Sequence, residues 1–372
     1  VRRAPSGVRE EIRRACRTED DPIAVQRAVA DALPSAVPFD RWCGLVLDPA
    51  TLLATTGYHA EGLPEALIPR LLEIEAADTD VNGMSALARS GDGVSTVDRA
   101  TAGRPETSER YRDVLAPSGL GREMRAVLRD GQTGWGGVVL LRETSSPDFS
   151  DDEVAFVQSI TADVARGIRR SLLRSELAHR DSDVVPGMVV VAPGGLEPEV
   201  VTAAATRWLA ELAEAGPTSS SLPLPMAVGT VVARARARSG DDGVARTRLR
   251  TREGRWLTLY AEAMTSDPDG RVAVVIEPTR PYELAAVLAE AYRLTPRERE
   301  VAQHVLLGRS TAEIAAAMFV SAWTVQDHLK KVFEKVGVRS RAELASRLFF
   351  GDYLPRSAAG QPLGADGWFI GP

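Results

Sequence analysis

At 372 residues the chain is too long for one small module and fits two to three domains of ordinary size. Hydrophobic residues at 44% and charged residues at 26% exclude a collagen-like, low-complexity or wholly disordered chain. A formal charge of −6, taken over the whole chain, argues against a protein that coats nucleic acid with its entire surface.

The N-terminal segment 1–18 carries Arg2, Arg3, Arg9, Arg13, Arg14 and Arg17 interleaved with Glu10 and Glu11. No apolar run follows, so it does not read as a signal peptide, and a solvated or frayed helix is the simplest expectation. The first residue, Val1, points to an unusual or missing start. Two cysteines, Cys16 and Cys43, are too few and too far apart for a disulfide framework or a cysteine-based zinc site. A reducing cytoplasm is the expected compartment. The longest apolar runs, 135–141 and 187–193, fall far short of the roughly 18 residues that cross a bilayer.

A first folded stretch spans 19–180. Met124, Ala126 and Leu128 alternate with Arg125 and Arg129, and Asp130 and Gly131 then turn the chain into a second strand over 135–141. This predicts a hairpin with one buried face. Ser150 and Glu153 form a capping box, and Val157, Ile160, Val164, Ile168 and Leu172 recur at helical spacing beyond it. That helix is long enough to project past its own domain. Cys43, beside Trp42, reads as a small core residue, and His59 as a surface or structural histidine rather than a haem ligand.

The second stretch covers 184–281. It opens with a strand over 187–192, turned by Pro193, Gly194 and Gly195, followed by a helix over 199–213 and a Pro/Ser-rich loop over 216–225. Three strands are predicted at 246–251, 256–263 and 271–277. In the middle one Leu257, Leu259, Ala261 and Ala263 share a face opposite Trp256, Thr258, Tyr260 and Glu262, which describes an antiparallel sheet with one core face. A connecting helix is predicted over 282–293.

The third stretch, 294–350, is all helical, and a tail of 351–372 follows. Thr295 with Glu298, Ser310 with Glu313, and Ser340 with Glu343 are three capping boxes, and Ser321 is a further N-cap. Together they specify four short helices. In the third helix Val325, Leu329, Val332 and Val336 form a narrow core stripe, leaving Trp323, Gln326, Asp327, Lys330 and Glu334 on the outer face with Thr324 and Lys331 beside them. A short helix, a tight turn through Phe319 and Val320, and a longer helix with a polar face make a helix-turn-helix layout suited to the major groove. The segment 294–350 holds nine Lys/Arg against six Asp/Glu, a local charge of +3. The acidic total therefore belongs to the rest of the chain.

Leu294, Thr295, Pro296, Arg297, Glu298 and Val301, then Gly308, Glu313, Ile314, Ala315, Val320, Ser321, Thr324, Val325, His328, Lys335, Val336, Gly337, Ser340 and Arg341 resemble, in order and spacing, the DNA-binding domain of LuxR-type transcription regulators. The resemblance implies that the third helix enters the major groove and that the fourth serves dimer contacts. Its DNA-binding segment contains Ser321, Thr324, Val325, Gln326, Asp327, Lys330, Lys331 and Lys335. Thr324 and Lys331 are implied phosphate contacts, Gln326, Asp327 and Lys330 face bases or nearby phosphates, and Val325 and His328 chiefly support the helix. Asp327 departs from expectation, since a carboxylate enters a negative groove. It fits if it accepts from a cytosine amino group or orients Lys330 or Lys331.

Arg122 to Arg125, Gly134 to Arg142 and Phe149 to Glu153 resemble the last strands and closing helix of a GAF domain, which implies a central antiparallel sheet with helices on one face and a small-molecule pocket on the other. The second stretch is similar in element order to a PAS fold, without a flavin-linking cysteine, and its direct run through the connecting helix looks like that of actinobacterial PAS-LuxR proteins. The fold class expected is thus an α+β multidomain chain: a GAF-like α/β sensor, a PAS-like α/β domain and a four-helix C-terminal domain. No phosphate-binding loop, dinucleotide fingerprint, zincin motif, nucleophile elbow or phosphoacceptor cluster is present, so an enzyme is not expected. The function expected is a cytoplasmic, dimeric, sequence-specific regulator binding double-stranded DNA, with RNA polymerase as a further candidate partner and no membrane. No cofactor is predicted beyond an unidentified small ligand in the GAF-like domain. The competing reading is a ligand-binding or dimerisation scaffold that acts through protein partners without DNA.

Overall fold

The computed structural model describes residues 5–60, 62–174, 185–212, 222–238, 244–251, 253–264, 270–279, 292–306, 308–341 and 343–344. The connecting helix expected over 282–293 lies almost wholly outside these residues, as does the tail 351–372. The chain divides into two compact units, one holding 1–172, 185–252 and 257–277, the other centred on 278–372.

In the larger unit, helices α1 (Pro5–Thr18) and α2 (Pro22–Ala32) precede strands β1 (Arg41–Leu47) and β2 (Ala54–Ala60). Helices α3 (Ile68–Ala77) and α4 (Met84–Arg89), strand β3 (Val94–Thr96) and the short α5 (Val97–Ala100) lead to the long strands β4 (Leu120–Asp130) and β5 (Thr133–Glu143), and α6 (Asp151–Arg174) closes the set. The strands form one antiparallel sheet in the order β2-β1-β5-β4-β3. The expected capping box starts α6: the Glu153 amide donates to Ser150 Oγ at 3.3 Å and the Ser150 amide to Glu153 Oε2 at 2.8 Å.

Helices α2 and α6 cover one face of this sheet. Trp42 is buried there beside Gln26 of α2, and Ile168 of α6 lies over Gly136. The N-terminal segment is not the solvated helix expected from its arginines. Val8, Ile12 and Cys16 of α1 are buried at i, i+4 and i+8, Arg13 Nε donates to Asp163 of α6 at 2.8 Å, and burial pushes the Cys16 thiol up to about 12. The arginines line the outer face of a helix whose apolar stripe is part of the core.

The β4–β5 hairpin forms at Gly131 as expected, but both of its faces are buried, not one. Glu123 and Arg125 are each 2% exposed. Alternation of charged with apolar residues predicts solvent on the charged side; here carboxylates and guanidiniums neutralise one another inside.

The second sheet consists of β6 (Gly187–Val191), β7 (Pro198–Val201), β8 (Ala245–Arg250), β9 (Trp256–Ala263) and β10 (Val272–Pro278), in the order β7-β6-β10-β9-β8, repeating that of the first. Leu257, Leu259 and Ala261 are buried on the face expected. The helix expected over 199–213 is shorter: 198–201 forms β7, where Val200 and Val201 suit an extended edge, and α7 runs Ala203–Leu212. A further helix, α8 (Met226–Ala237), was not expected. Its residues 227–233 are buried on nearly every side, so it has no polar face to give the pattern away.

Helix α8 joins the two sheets. A Cβ on Gly229 would lie 2.8 Å from Leu72 Cδ1 of α3, so the absence of a side chain permits this helix-to-helix approach. Beside it Asp48, 2% exposed, accepts from the Arg248 backbone amide at 2.9 Å and from its guanidinium at 3.3 Å, across 200 residues of sequence.

The smaller unit contains α9 (Pro296–Leu306), α10 (Thr311–Met318) and α11 (Ala322–Val336). Val301, Val305, Ile314, Met318, Val325, Leu329, Val332 and Val336 form its core. The fourth helix opens where expected, with the Glu343 amide donating to Ser340 Oγ at 3.0 Å, and its continuation lies outside the described residues. Glu298 closes the Thr295 capping box and also accepts from Lys335 Nζ of α11 at 2.6 Å. Burial would raise the Glu298 carboxyl, but Lys335 and the capping bonds to Thr295 together hold it below its ordinary 4.5.

Two predictions follow from these ion pairs. Asp48→Asn removes a buried carboxylate that pairs with Arg248 and should lower the stability of the larger unit by up to about 3–5 kcal/mol, far more than loss of an exposed pair such as Asp327 with Lys331 costs the smaller. Urea unfolding of the two variants, Asp48→Asn and Asp327→Asn, checks this, and equal midpoints would refute it. Because the folded Glu298 pKa is depressed, its contribution to stability is fully present above 4.5 and is lost as pH falls through the lowered value. Glu298→Gln, which retains a capping oxygen, should therefore lower the melting temperature of the smaller unit at pH 7 and flatten its decline between about pH 5 and 3, as read by circular dichroism.

Candidate functional site

Two sites stand out, one in each unit. The first is the exposed face of α11. Helix α10 ends in a Schellman-type cap, with the Val320 amide bonded to the Ala315 carbonyl at 3.0 Å and Phe319 in the left-handed region at φ 56°. Glycine is the usual residue there, and Phe319 instead projects into solvent, 94% exposed. Ser321 caps α11: its Oγ accepts from the Thr324 amide at 3.0 Å and lies 2.8 Å from Thr324 Oγ1. Gly337, at φ 75°, ends the helix.

Between these caps the helix presents Trp323 at 78% exposure, with Gln326, Lys330, Lys331 and Glu334 exposed along the same side. Asp327 Oδ2 accepts from Lys331 Nζ at 2.8 Å, one turn along the helix, and this bond holds the carboxyl below its usual range. Gln326 donates from Nε2 to Thr311 Oγ1 at 3.3 Å, which ties the two helices of the motif. Val325 is 0% exposed and belongs to the core stripe, so it supports the helix and does not reach an external partner. Lys335 is exposed and donates to Glu298 at 2.6 Å and to the Arg293 carbonyl at 3.2 Å. Arg341, quoted in the motif but not as a site residue, donates to the Arg309 carbonyl at 2.8 Å and to Thr311 Oγ1 at 2.7 Å, bracing the start of α10.

The second site is a cavity of about 430 Å³ against the other face of the first sheet. Leu45, Val139 and Leu141 of the sheet and Leu72 of α3 give it apolar walls, and Met226, Thr230 and Arg234 of α8 close it. Cys43 and His59, expected as core and surface or structural residues, both line it, and burial holds the His59 pKa below its ordinary value. Its polar floor is a network. Arg125 donates to Glu75 at 2.5 and 3.0 Å, and Arg110 donates to Glu123 at 2.9 Å and to Asp80 at 3.3 Å. Burial would raise the carboxyls of Glu75 and Asp80; Arg125 and Arg110 hold the first below its usual range, and Arg110 with Ser108 the second. Among the described residues no group of His, Cys, Asp or Glu has the arrangement of a metal site, and no described helix is long and apolar enough to cross a membrane.

Residues 292–348 match the family described as bacterial regulatory proteins, luxR family. The chain is 38% identical over 55 residues to the spore germination protein GerE of Bacillus subtilis, a match covering 15% of this chain and 74% of that protein. It is 45% identical over 58 residues to the transcriptional regulatory protein UhpA of Escherichia coli, covering 16% of this chain and 30% of UhpA, so the chain spans under a third of that relative's length. A phycoerythrobilin-bound GAF domain from a cyanobacterial phytochrome aligns with 48% of this chain and 100% of its own, at 18% identity and a TM-score of 0.33. On the match at 292–348 and the extent to which GerE is covered, the chain belongs to the luxR family of bacterial regulatory proteins.

Proposed function

We propose that the chain is a sequence-specific DNA-binding transcription regulator whose two sheet domains sense a small molecule and control the C-terminal helix-turn-helix. The observation that carries this reading is the exposed face of α11, where Trp323, Gln326, Lys330 and Lys331 stand on a capped helix over a closed core within a segment of net charge +3. The first sheet domain is GAF-like in this reading, supported by helices on one sheet face and a cavity on the other. The second is PAS-like, supported by a sheet that repeats the strand order. The regulator acts as a cytoplasmic dimer on two half-sites about one helical turn apart, and RNA polymerase is its further partner.

The geometry supports a set of roles on the DNA within this reading. Lys330 is exposed and makes no ion pair with a described residue, so it reaches bases or a phosphate. Lys331 reaches a phosphate while Asp327 fixes its position, which accounts for a carboxylate in this place. Thr324 adds a phosphate contact from the first turn, and Trp323 sets its indole against a base edge or sugar at the groove wall.

Selection of bound fragments from random DNA by the purified full chain should return a site with two half-sites. Lys331→Ala should weaken binding to all sequences alike and reduce the slope of log affinity against log salt by about one, whereas Asp327→Asn should change base preference. Identical selected sites and salt slopes for the two variants would remove this division of roles. If the chain retards no DNA selectively at physiological salt, the scaffold reading replaces the regulator.

A further inference from the structure

The cavity of the first sheet domain is lined by four arginines, and three are committed to protein oxygens. Arg41 donates to the Gly62 carbonyl at 2.8 Å, Arg110 to Glu123, and Arg125 to Glu75. The fourth, Arg234, makes no hydrogen bond or ion pair with any described residue, and its Nε is buried without a partner. It comes from α8, an element of the second sheet domain, and lines the cavity together with Met226 and Thr230 of the same helix.

A guanidinium in that position is costly. Burial and the neighbouring Arg238 lower its pKa, and only the longer-range attraction of Asp78 and Glu75 opposes them. Neither carboxylate takes its hydrogen bonds: Glu75 is occupied by Arg125, and Asp78 Oδ1 lies over Gly83, 2.7 Å from where a Cβ would be. Five donors in a planar fork therefore line a space whose apolar walls are leucine, valine and methionine and whose charged floor is already paired within the protein. The fork matches two oxygens in one plane, as a carboxylate presents them. The volume lies within the range of roughly 300–1,000 Å³ that takes small organic ligands, and too few polar groups remain uncommitted to suit a sugar or nucleotide.

We propose that this cavity binds a small organic acid with an apolar body, its carboxylate held by Arg234 and its body against Leu45, Leu72, Val139, Leu141 and Met226. The proposal rests on the sensing role given above and supplies its ligand class. Because the acid touches both sheet domains, its binding clamps α8 onto the first sheet and stiffens the seam at Gly229 and Leu72.

The test uses the full chain, with isothermal titration and thermal unfolding against a panel of acids: hexanoate, octanoate, decanoate, dodecanoate and 3-phenylpropanoate. Decan-1-ol and decylamine serve as matched controls. At least one acid should bind and raise the melting temperature, and Arg234→Gln should weaken that acid tenfold or more, with Arg234→Lys recovering part of the loss. The alcohol should bind more weakly than the acid and respond little to Arg234→Gln, and Leu45→Phe, which fills the cavity, should abolish acid binding with Arg234 intact. Binding of no acid in the panel, equal binding of acid and alcohol, or an acid affinity unchanged in Arg234→Gln would overturn the proposal. DNA retardation by the same preparation separates this from the wider reading. DNA binding without acid binding discards the ligand class and keeps the regulator; acid binding under Arg234 control without DNA binding does the reverse.

Discussion

Two arginine side chains buried inside the first sheet domain constrain everything around them. Arg110 and Arg125 are each 2% exposed, and an isolated guanidinium cannot remain in such a place without opposite charge and hydrogen-bond acceptors. Glu75 on α3, Asp80 just beyond it and Glu123 on β4 supply both. The network consequently fixes α3 at a set height above the sheet, because Glu75 must reach Arg125 across the gap. The space left beneath the helix is the cavity. Its polar floor is already satisfied, and this leaves Arg234, contributed by α8, as the cavity arginine open to an external acceptor.

How much of this was legible in the sequence depended on whether a segment's pattern was set by its own neighbours or by distant ones. The helix-turn-helix was legible almost residue by residue, since capping boxes, the Val325 to Val336 stripe and Gly337 are local signals that agree with one another. Even so, the motif does not announce that Lys335, carried over within the DNA-binding segment, pairs with Glu298. The β4–β5 hairpin was also legible, but its charged positions, Arg125 among them, read as a solvent face. Their partners lie on α3 and on the segment before β4, and no local pattern announces a charge that is neutralised 50 residues away.

Helix α8 fails for a related reason. A sequence of valine, alanine, glycine and threonine buried all round lacks the polar face by which amphipathic helices are recognised, and it follows a Pro/Ser-rich run that suggests continued loop. The segments read as two separate domains by their punctuation share one compact unit because α8 and the Asp48–Arg248 pair tie them. The N-terminal arginines misled in the opposite direction, since their number obscured the three apolar positions of α1 that enter the core.

The two sheets repeat one strand order yet use it differently. In the second, α7 lies directly on β6: a Cβ at Gly187 would come within 2.5 Å of the Ala205 backbone, so helix and sheet leave little between them. In the first, the charged network props α3 away from the strands and keeps a space open. A propped cavity needs a cover, and the second domain provides one in α8, whose small Gly229 lets it seat on Leu72 while Arg234 joins the cavity lining. A ligand there would meet the second domain at the moment it fills the first. In that arrangement the signal begins as a change in how firmly α8 is held, which is a property of the pair of domains and of neither alone.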